Sequence, residues 1–244
     1  MARAMARGWG RSVLCTDVLP DRARALAAEV GGEALDSNAE LARRADVVVL
    51  CHKPAQLADV AAEVAPAARA VVSILGATPL AAVREAYPDR PVYRVLPSTP
   101  VEVRRGALVL ADDAPQDPAT DAAVRELFGE LGRLVVLDDA LIDTAMALMS
   151  CAPAYVALVA EAQIDAGVRG GLPADRAAEL VVQTLAGTAE LLERRDHDTL
   201  AVRRQVTSPG GSTARGLDAL ERGGVRAAFS DALDAVLQRG RWAA

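Results

Sequence analysis

The chain has 244 residues, 52% of them hydrophobic, 25% charged and only 3% aromatic, which is material for one large core or two modest ones. Its 27 Lys and Arg against 33 Asp and Glu leave a net charge of −6, and no basic stripe with interleaved aromatics runs along it, so no nucleic-acid partner is expected. No apolar run approaches the roughly 20 residues of a membrane span, and residues 1–11 alternate Ala with Arg where a signal peptide would be apolar; the expectation is a cytoplasmic protein with no membrane partner.

In chain order, residues 1–8 read as a helix, followed by short β-rich apolar runs at 12–17, 46–51, 70–75, 92–96, 107–111 and 134–137. Between these runs lie helical spacings at 21–30, 38–44, 54–64, 79–86 and 118–131, several opened by Asp, Asn or Pro. Val47, Val48, Val49 and Leu50 form a continuous apolar run, as in strands buried on both faces. The βαβ alternation therefore predicts a largely parallel sheet with helices on either side. After about residue 139 strand signals stop, and helices are expected at 140–149, 153–167, 173–194, 199–206, 213–222 and 225–239. Two domains follow, an α/β unit over 1–139 and an all-helical one over 140–244. The helical half carries more apolar surface than one small bundle hides; a homodimer that interleaves these helices, or a large monomeric bundle, would meet that need.

Ligands of an open parallel sheet sit beyond the carboxyl ends of its strands. Asp17 ends the first run, where a dinucleotide-binding unit places an acidic acceptor for the adenosine ribose, with Arg22 or Arg24 near enough to attract a 2′-phosphate. The same Asp17 also reads as a turn or helix-capping aspartate. The Gly-x-Gly-x-x-Gly turn that belongs about 20 residues upstream is missing, together with the strand before it, because residues 1–8 already read as the following helix. That strand would be central, so its neighbours are expected to have unpaired backbone groups, and the native chain is expected either to start upstream of Met1 or to be a degenerate cofactor binder.

The strongest strand ends in Cys51-His52-Lys53-Pro54. Lys53 is the only lysine, placed to approach a phosphate or ribose or else simply solvated before a helix-initiating proline. His52 reads as a packing residue rather than a general base. The run at 92–96 leads into Pro97-Ser98-Thr99-Pro100, a stiffened turn where a nicotinamide would lie or an ordinary loop. In the helical half, Ser208-Pro209-Gly210-Gly211 turns into a helix capped by Ser212 or Thr213, a start whose free N–H groups favour an anion such as a carboxylate, or which is only a Pro-Gly-Gly turn. Met149-Ser150-Cys151-Ala152 precedes another helix, with packing the favoured explanation and no base evident beside Cys151. Three widely spaced cysteines fit reduced core thiols, and two histidines do not make a metal centre.

Taken together these residues resemble the pyrroline-5-carboxylate reductase family. The likeness is strongest in V-T-S-P-G-G-S-T over 206–213 and extends through 216–226, Pro153-Ala154-Tyr155, 165–173, Lys53-Pro54, 46–48 and 94–100. The resemblance implies a Rossmann-like domain followed by a helical dimerisation domain, and reduction of 1-pyrroline-5-carboxylate to L-proline in proline biosynthesis, with NADPH or NADH and no metal. It implies Asn38, Lys53 and Pro54 on the adenosine side, and Pro97, Ser98 and Thr99 near the nicotinamide. Ser208, Gly210, Gly211, Ser212 and Thr213 would hold the substrate carboxylate, with the Thr213 hydroxyl on the ring nitrogen, in a homodimer or a multiple of dimers. Three departures stand out: the family's first strand and glycine loop are absent, Met149-Ser150-Cys151-Ala152 replaces Ser-Gly-Ser-Gly, and Ser98 replaces Asn. Two other readings remain at this level, a related reductase of another imine or a 2-oxo acid, and a non-catalytic interaction or regulatory dimer.

Overall fold

The computed structural model describes residues 1–113 and 117–237 and divides into two compact units, Met1–Pro153 and Ala154–Ala244. The first unit opens with α1 (Ala2–Trp9), β1 (Leu14–Cys15), α2 (Pro20–Val30), β2 (Glu33–Ala34) and α3 (Asn38–Arg44). Next come β3 (Val48–Leu50), a 3₁₀ turn over Pro54–Gln56, α4 (Leu57–Val64), β4 (Val71–Ser73), α5 (Leu80–Ala86) and β5 (Val92–Pro97). A second 3₁₀ turn over Thr99–Val103 leads to β6 (Gly106–Ala111), α6 (Pro118–Gly129), β7 (Gly132–Leu137) and α7 (Ile142–Met149). Helix starts follow local chemistry: Ser37 accepts the Glu40 N–H at 3.2 Å ahead of α3, and Asp117 accepts the Thr120 N–H at 3.0 Å ahead of α6.

The strands form two sheets. β3, β4 and β5 run parallel, with Val48 opposite Val71 and Val71 opposite Val92, and β6 and β7 are parallel to each other. β6 lies antiparallel to β5, because the 3₁₀ turn between them reverses the chain; the other pairings are parallel, so the sheet is largely parallel as expected. Among the described residues, β1 and β2 pair only with each other, in parallel. β2 was absent from the expected strands; two residues are too short to show alternation. The expected helix at 54–64 is divided, since Pro54 starts a 3₁₀ turn and the α-helix begins at Leu57.

β1 and β3 each leave one side open toward the other sheet. Hydrogen bonds from Glu33 to the Val13 carbonyl and from Leu35 to the Cys15 carbonyl direct Val13 and Cys15 at β2, so Leu14 and Thr16 point their backbone groups the other way. In β3, Val48 and Leu50 serve β4, which leaves Val47 and Val49 on the open side. α1 covers this region: Val13, Val47 and Val49 all pack on the cluster that contains Met5 and Trp9.

Two cores sandwich the larger sheet. One face holds α1 and α6, with Trp9 edge-on to Phe128 at 5.8 Å and its indole N–H donated to the Leu127 carbonyl at 2.8 Å. Gly8 is required here, since a Cβ would lie 2.1 Å from the Val101 carbonyl oxygen. The other face packs α3, α4, α5 and α7 through Ala42, Val64, Val83 and Ile142. β5 is buried along its whole length and alternates between the two, Tyr93 and Val95 toward α1 and α6, Val92 and Leu96 toward α7. α7, just beyond residue 139, belongs to this core, and the compact first unit runs to Pro153.

The second unit is helical: α8 (Ala152–Arg169, which begins two residues before the division), α9 (Ala174–Glu193), α10 (Thr199–Gln205), α11 (Ser212–Arg222) and α12 (Val225–Leu237). The end of the helix expected over 225–239 lies outside the described residues. Leu158, Leu180, Val182, Leu220 and Phe229 are exposed, and of the described residues in α8 to α12 only Ala177 is buried. An 18-residue window within Asp139–Arg169 reaches a mean hydropathy of 1.5, apolar enough by composition to cross a membrane. Asp139–Arg169 is not one helix, because a turn at Ser150 and Cys151 divides α7 from α8.

Candidate functional site

The carboxyl ends of β1, β3 and β5 carry the residues expected to meet a dinucleotide. Asp17 follows β1, stays exposed and accepts the Leu19 N–H at 2.9 Å, a turn that leads into α2. Thr16 beside it donates to Asn38 Oδ1 at 2.6 Å, and Asn38 Nδ2 donates to Glu63 Oε2 at 3.1 Å. This chain of bonds fastens the ends of β1, α3 and α4 and orients the Asn38 amide. Neither Thr16 nor Glu63 was expected, since each is a single polar residue with no motif around it.

At the end of β3, the Lys53 N–H donates to the Gln56 side chain at 3.1 Å and Pro54 opens the 3₁₀ turn. The Lys53 ammonium is exposed and has no ion pair among the described residues. His52 Nδ1 meets the Lys53 carbonyl at 2.9 Å, while its Nε2 is buried without a partner. An exposed ammonium without an ion pair among the described residues, at the carboxyl end of a strand, suits an anionic ligand. By that test the residues present fit the adenosine side of a dinucleotide. The three cysteines are free, as expected; Cys15 and Cys151 are half-buried, and Cys51 is exposed as a residue while burial of its thiol pushes it up to about 12. Burial pushes the Cys15 thiol above its ordinary value, with the Asp17 charge acting in the same direction.

The β5 turn is where two separate sequence motifs meet. Pro97 and Ser98 are buried and Thr99 is exposed. The Ser98 hydroxyl accepts the Ala107 N–H at 3.0 Å, so it braces the β5–β6 turn. Ser150 Oγ donates to the Pro97 carbonyl at 3.1 Å, which seats the Met149-to-Ala152 turn against Pro97.

In the helical unit, Gly210 adopts φ 68°, the left-handed region that glycine tolerates, and the Gly211 N–H bonds the Ser208 carbonyl at 3.0 Å. Gly211 itself is the N-cap of α11, with no side-chain bond to the helix start; neither Ser212 nor Thr213 caps it as expected, because both already lie in the first turn. The N–H groups of that turn stay open toward an acceptor. A Cβ on Gly211 would lie 2.5 Å from Ser208 Oγ, so a larger residue would displace the Ser208 hydroxyl, and Arg215 braces the turn by donating to the Gly210 carbonyl at 2.8 Å.

Comparison with known proteins decides the family. A model described as pyrroline-5-carboxylate reductase dimerisation matches residues 139–242, and one described as NADP oxidoreductase, coenzyme F420-dependent, matches residues 1–76. The pyrroline-5-carboxylate reductase of Synechocystis is 35% identical over 206 residues, 84% of this chain and 77% of that protein. That of Glycine max is 33% identical over 251 residues, covering 99% and 92%. The chain belongs to the pyrroline-5-carboxylate reductase family. The fold agrees: the NADP-bound pyrroline carboxylate reductase of Plasmodium falciparum superposes with a TM-score of 0.84 at 26% identity, over 97% of this chain and 91% of that one. The enzyme from Coxiella burnetii gives 0.86 at 26%, over 98% and 93%. Members of this family thus share the Rossmann-like α/β unit followed by a helical dimerisation domain.

Proposed function

We propose that the chain reduces the C=N bond of 1-pyrroline-5-carboxylate to give L-proline, with NADPH or NADH as reductant. The observation that carries this reading is the start of α11, a glycine turn with open first-turn N–H groups in a family member. On this reading Ser208, Gly210, Gly211, Ser212 and Thr213 hold the carboxylate, a charge-assisted contact that also fixes the ring. The Thr213 hydroxyl hydrogen-bonds the ring nitrogen and holds the proton-bearing atom in place. Asp17, Asn38, Lys53 and Pro54 take the adenosine side of the cofactor, and Pro97, Ser98 and Thr99 border the nicotinamide end. When bound, the reduced nicotinamide supplies a hydride. A protonated imine is already electrophilic, so orientation by these residues is the main work asked of the protein.

The exposed apolar helices support a homodimer, and the composition supports a cytoplasmic enzyme. A purely non-catalytic role is not favoured, because the relatives matched over most of this chain are named as pyrroline-5-carboxylate reductases. The test is NADPH oxidation followed by absorbance with 1-pyrroline-5-carboxylate, with proline identified as product. Turnover of other imines or of 2-oxo acids in preference would overturn the substrate assignment.

A further inference from the structure

Arg94 occupies a place where the pattern of β5 calls for an apolar side chain. Its neighbours on the same face, Val92 and Leu96, belong to the core under α7, and the Arg94 side chain is 2% exposed. Its two terminal nitrogens go to different carboxylates, Nη1 to Asp139 Oδ1 and Nη2 to Asp143 Oδ1, both at 2.8 Å. Asp139 in turn accepts the Leu80 N–H at 3.0 Å at the start of α5. At the far end of α7, Ser150 Oγ reaches the Pro97 carbonyl at the end of β5. α7 is therefore pinned to one strand at both ends.

An apolar side chain would fill the same space without the cost of burying a guanidinium, whose Nε has no acceptor among the described residues. What it would not supply is direction. The contacts between the pins, through Ile142, Ala145, Met146 and Met149, are apolar, and such contacts resist sliding or rotation of a helix only weakly. A rigid planar fork that meets carboxylates four residues apart defines both the height and the rotation of α7. A slip of one turn, about 5.4 Å, would break both bonds at once.

We propose that Arg94 is a positioning residue: by clamping Asp139 and Asp143 it sets the register of α7 and, through Ser150, seats the Met149-to-Ala152 turn beside Pro97, Ser98 and Thr99. The proposal rests on the reading of those three residues as the nicotinamide end of the cofactor site. Arg94 touches no reactant; it acts through the turn, and misplacement of that turn by a fraction of a turn of helix lowers the rate of the chemical step more than it weakens binding.

The test uses Arg94→Lys, which keeps the charge but cannot span both carboxylates, with Ser150→Ala at the other pin and the double variant. Arg94→Lys is expected to lower kcat about tenfold while NADPH affinity and substrate KM change less than about twofold. Because the two pins hold one turn, the double variant is expected to lose little more than the worse single one. A readout independent of activity is the alkylation rate of the half-buried Cys151 by iodoacetamide, followed by peptide mapping, which is expected to rise several-fold in Arg94→Lys and in Ser150→Ala. Should Arg94→Lys not fold, Asp143→Asn breaks one arm at a carboxylate that is 51% exposed and is read in the same ways. Unchanged kcat and unchanged Cys151 labelling, or losses that multiply in the double variant, would overturn the proposal. An inactive wild-type chain would count against the functional reading, while Cys151 labelling would still decide the clamp.

Discussion

The open edges of β1 and β3 allow a magnitude to be worked. A five-residue apolar strand followed by a Gly-x-Gly turn, fused ahead of Met1, would run beside Leu14 and Thr16 on one side and Val47 and Val49 on the other. These residues are half-buried, so water now reaches their backbone groups, and each ladder bond gained contributes about 0.5–1.5 kcal/mol. Burying about three apolar side chains beneath α1 adds roughly 2 kcal/mol each. Ordering five strand residues and a three-residue turn costs about 1–2 kcal/mol apiece, which offsets those gains, so Tm should change little. The glycine turn would place backbone N–H groups ahead of α1, so NADPH affinity should rise without a matching rise in Tm. Thermal melting and cofactor titration of the two forms are the assay. Equal affinity, or a form that no longer folds, would refute the assignment of this gap as a strand position and of the adjoining strand ends as a cofactor site.

Thr213→Ala should lower imine reduction by about 10–100-fold with NADPH affinity nearly unchanged, and unaltered turnover would remove Thr213 from the mechanism. Gly211→Ala should raise substrate KM, because its Cβ would turn the Ser208 hydroxyl, 2.5 Å away, out of its place; a normal KM would show that Ser208 does not hold the carboxylate. Sedimentation should find a dimer or a multiple of one, in keeping with the exposed Leu158, Leu180, Val182 and Phe229, and a stable monomer at micromolar concentration would contradict it. The Asp117 carboxyl is held below its ordinary value by the Thr120 hydroxyl and N–H. Its contribution to α6 is therefore present above the unfolded pKa of about 3.9 and lost as the pH falls through the lower folded value. Asp117→Ala should flatten that acid limb in thermal melts of the pH series, and an unchanged limb would show that the cap does not titrate there.

Much of the fold was legible because local chemistry determines it. Helix α3 has the expected limits because Ser37 caps it and apolar residues recur at helical spacing, and β3 was marked by its run of valines. β2 was missed because Glu33 and Ala34 are held by pairing with β1, which leaves no mark on composition. The reversal at β6 was missed for a related reason: strand pattern reports which face is buried and is silent on direction, and the direction here comes from the turn over Thr99–Val103. In the helical half the glycine turn at Gly210 and Gly211 was visible, while its cap was misassigned because Ser and Thr are the usual caps and the backbone used glycine.

The site divides along the same line. Lys53, Pro54, Pro97 and the Ser208-to-Thr213 turn stand out in the sequence because each sits in a short segment whose residue types are unusual together. Thr16, Glu63, Arg94 and Asp139 do not, because each acts through a partner from another part of the chain; Arg94 and Asp143 are 49 residues apart. An arginine inside an apolar strand reads locally as an inconsistency, and such conflicts between local pattern and burial concentrate where structure is held for function. Arg94 is one of only four buried polar or charged residues among those described, the others being Ser73, Thr78 and Ser98. Ser73 ends β4 and Ser98 follows β5, so two of the four lie at the end of the sheet that meets the cofactor in the proposed mechanism, and Arg94, opposite Ser73, anchors α7 from within the strand.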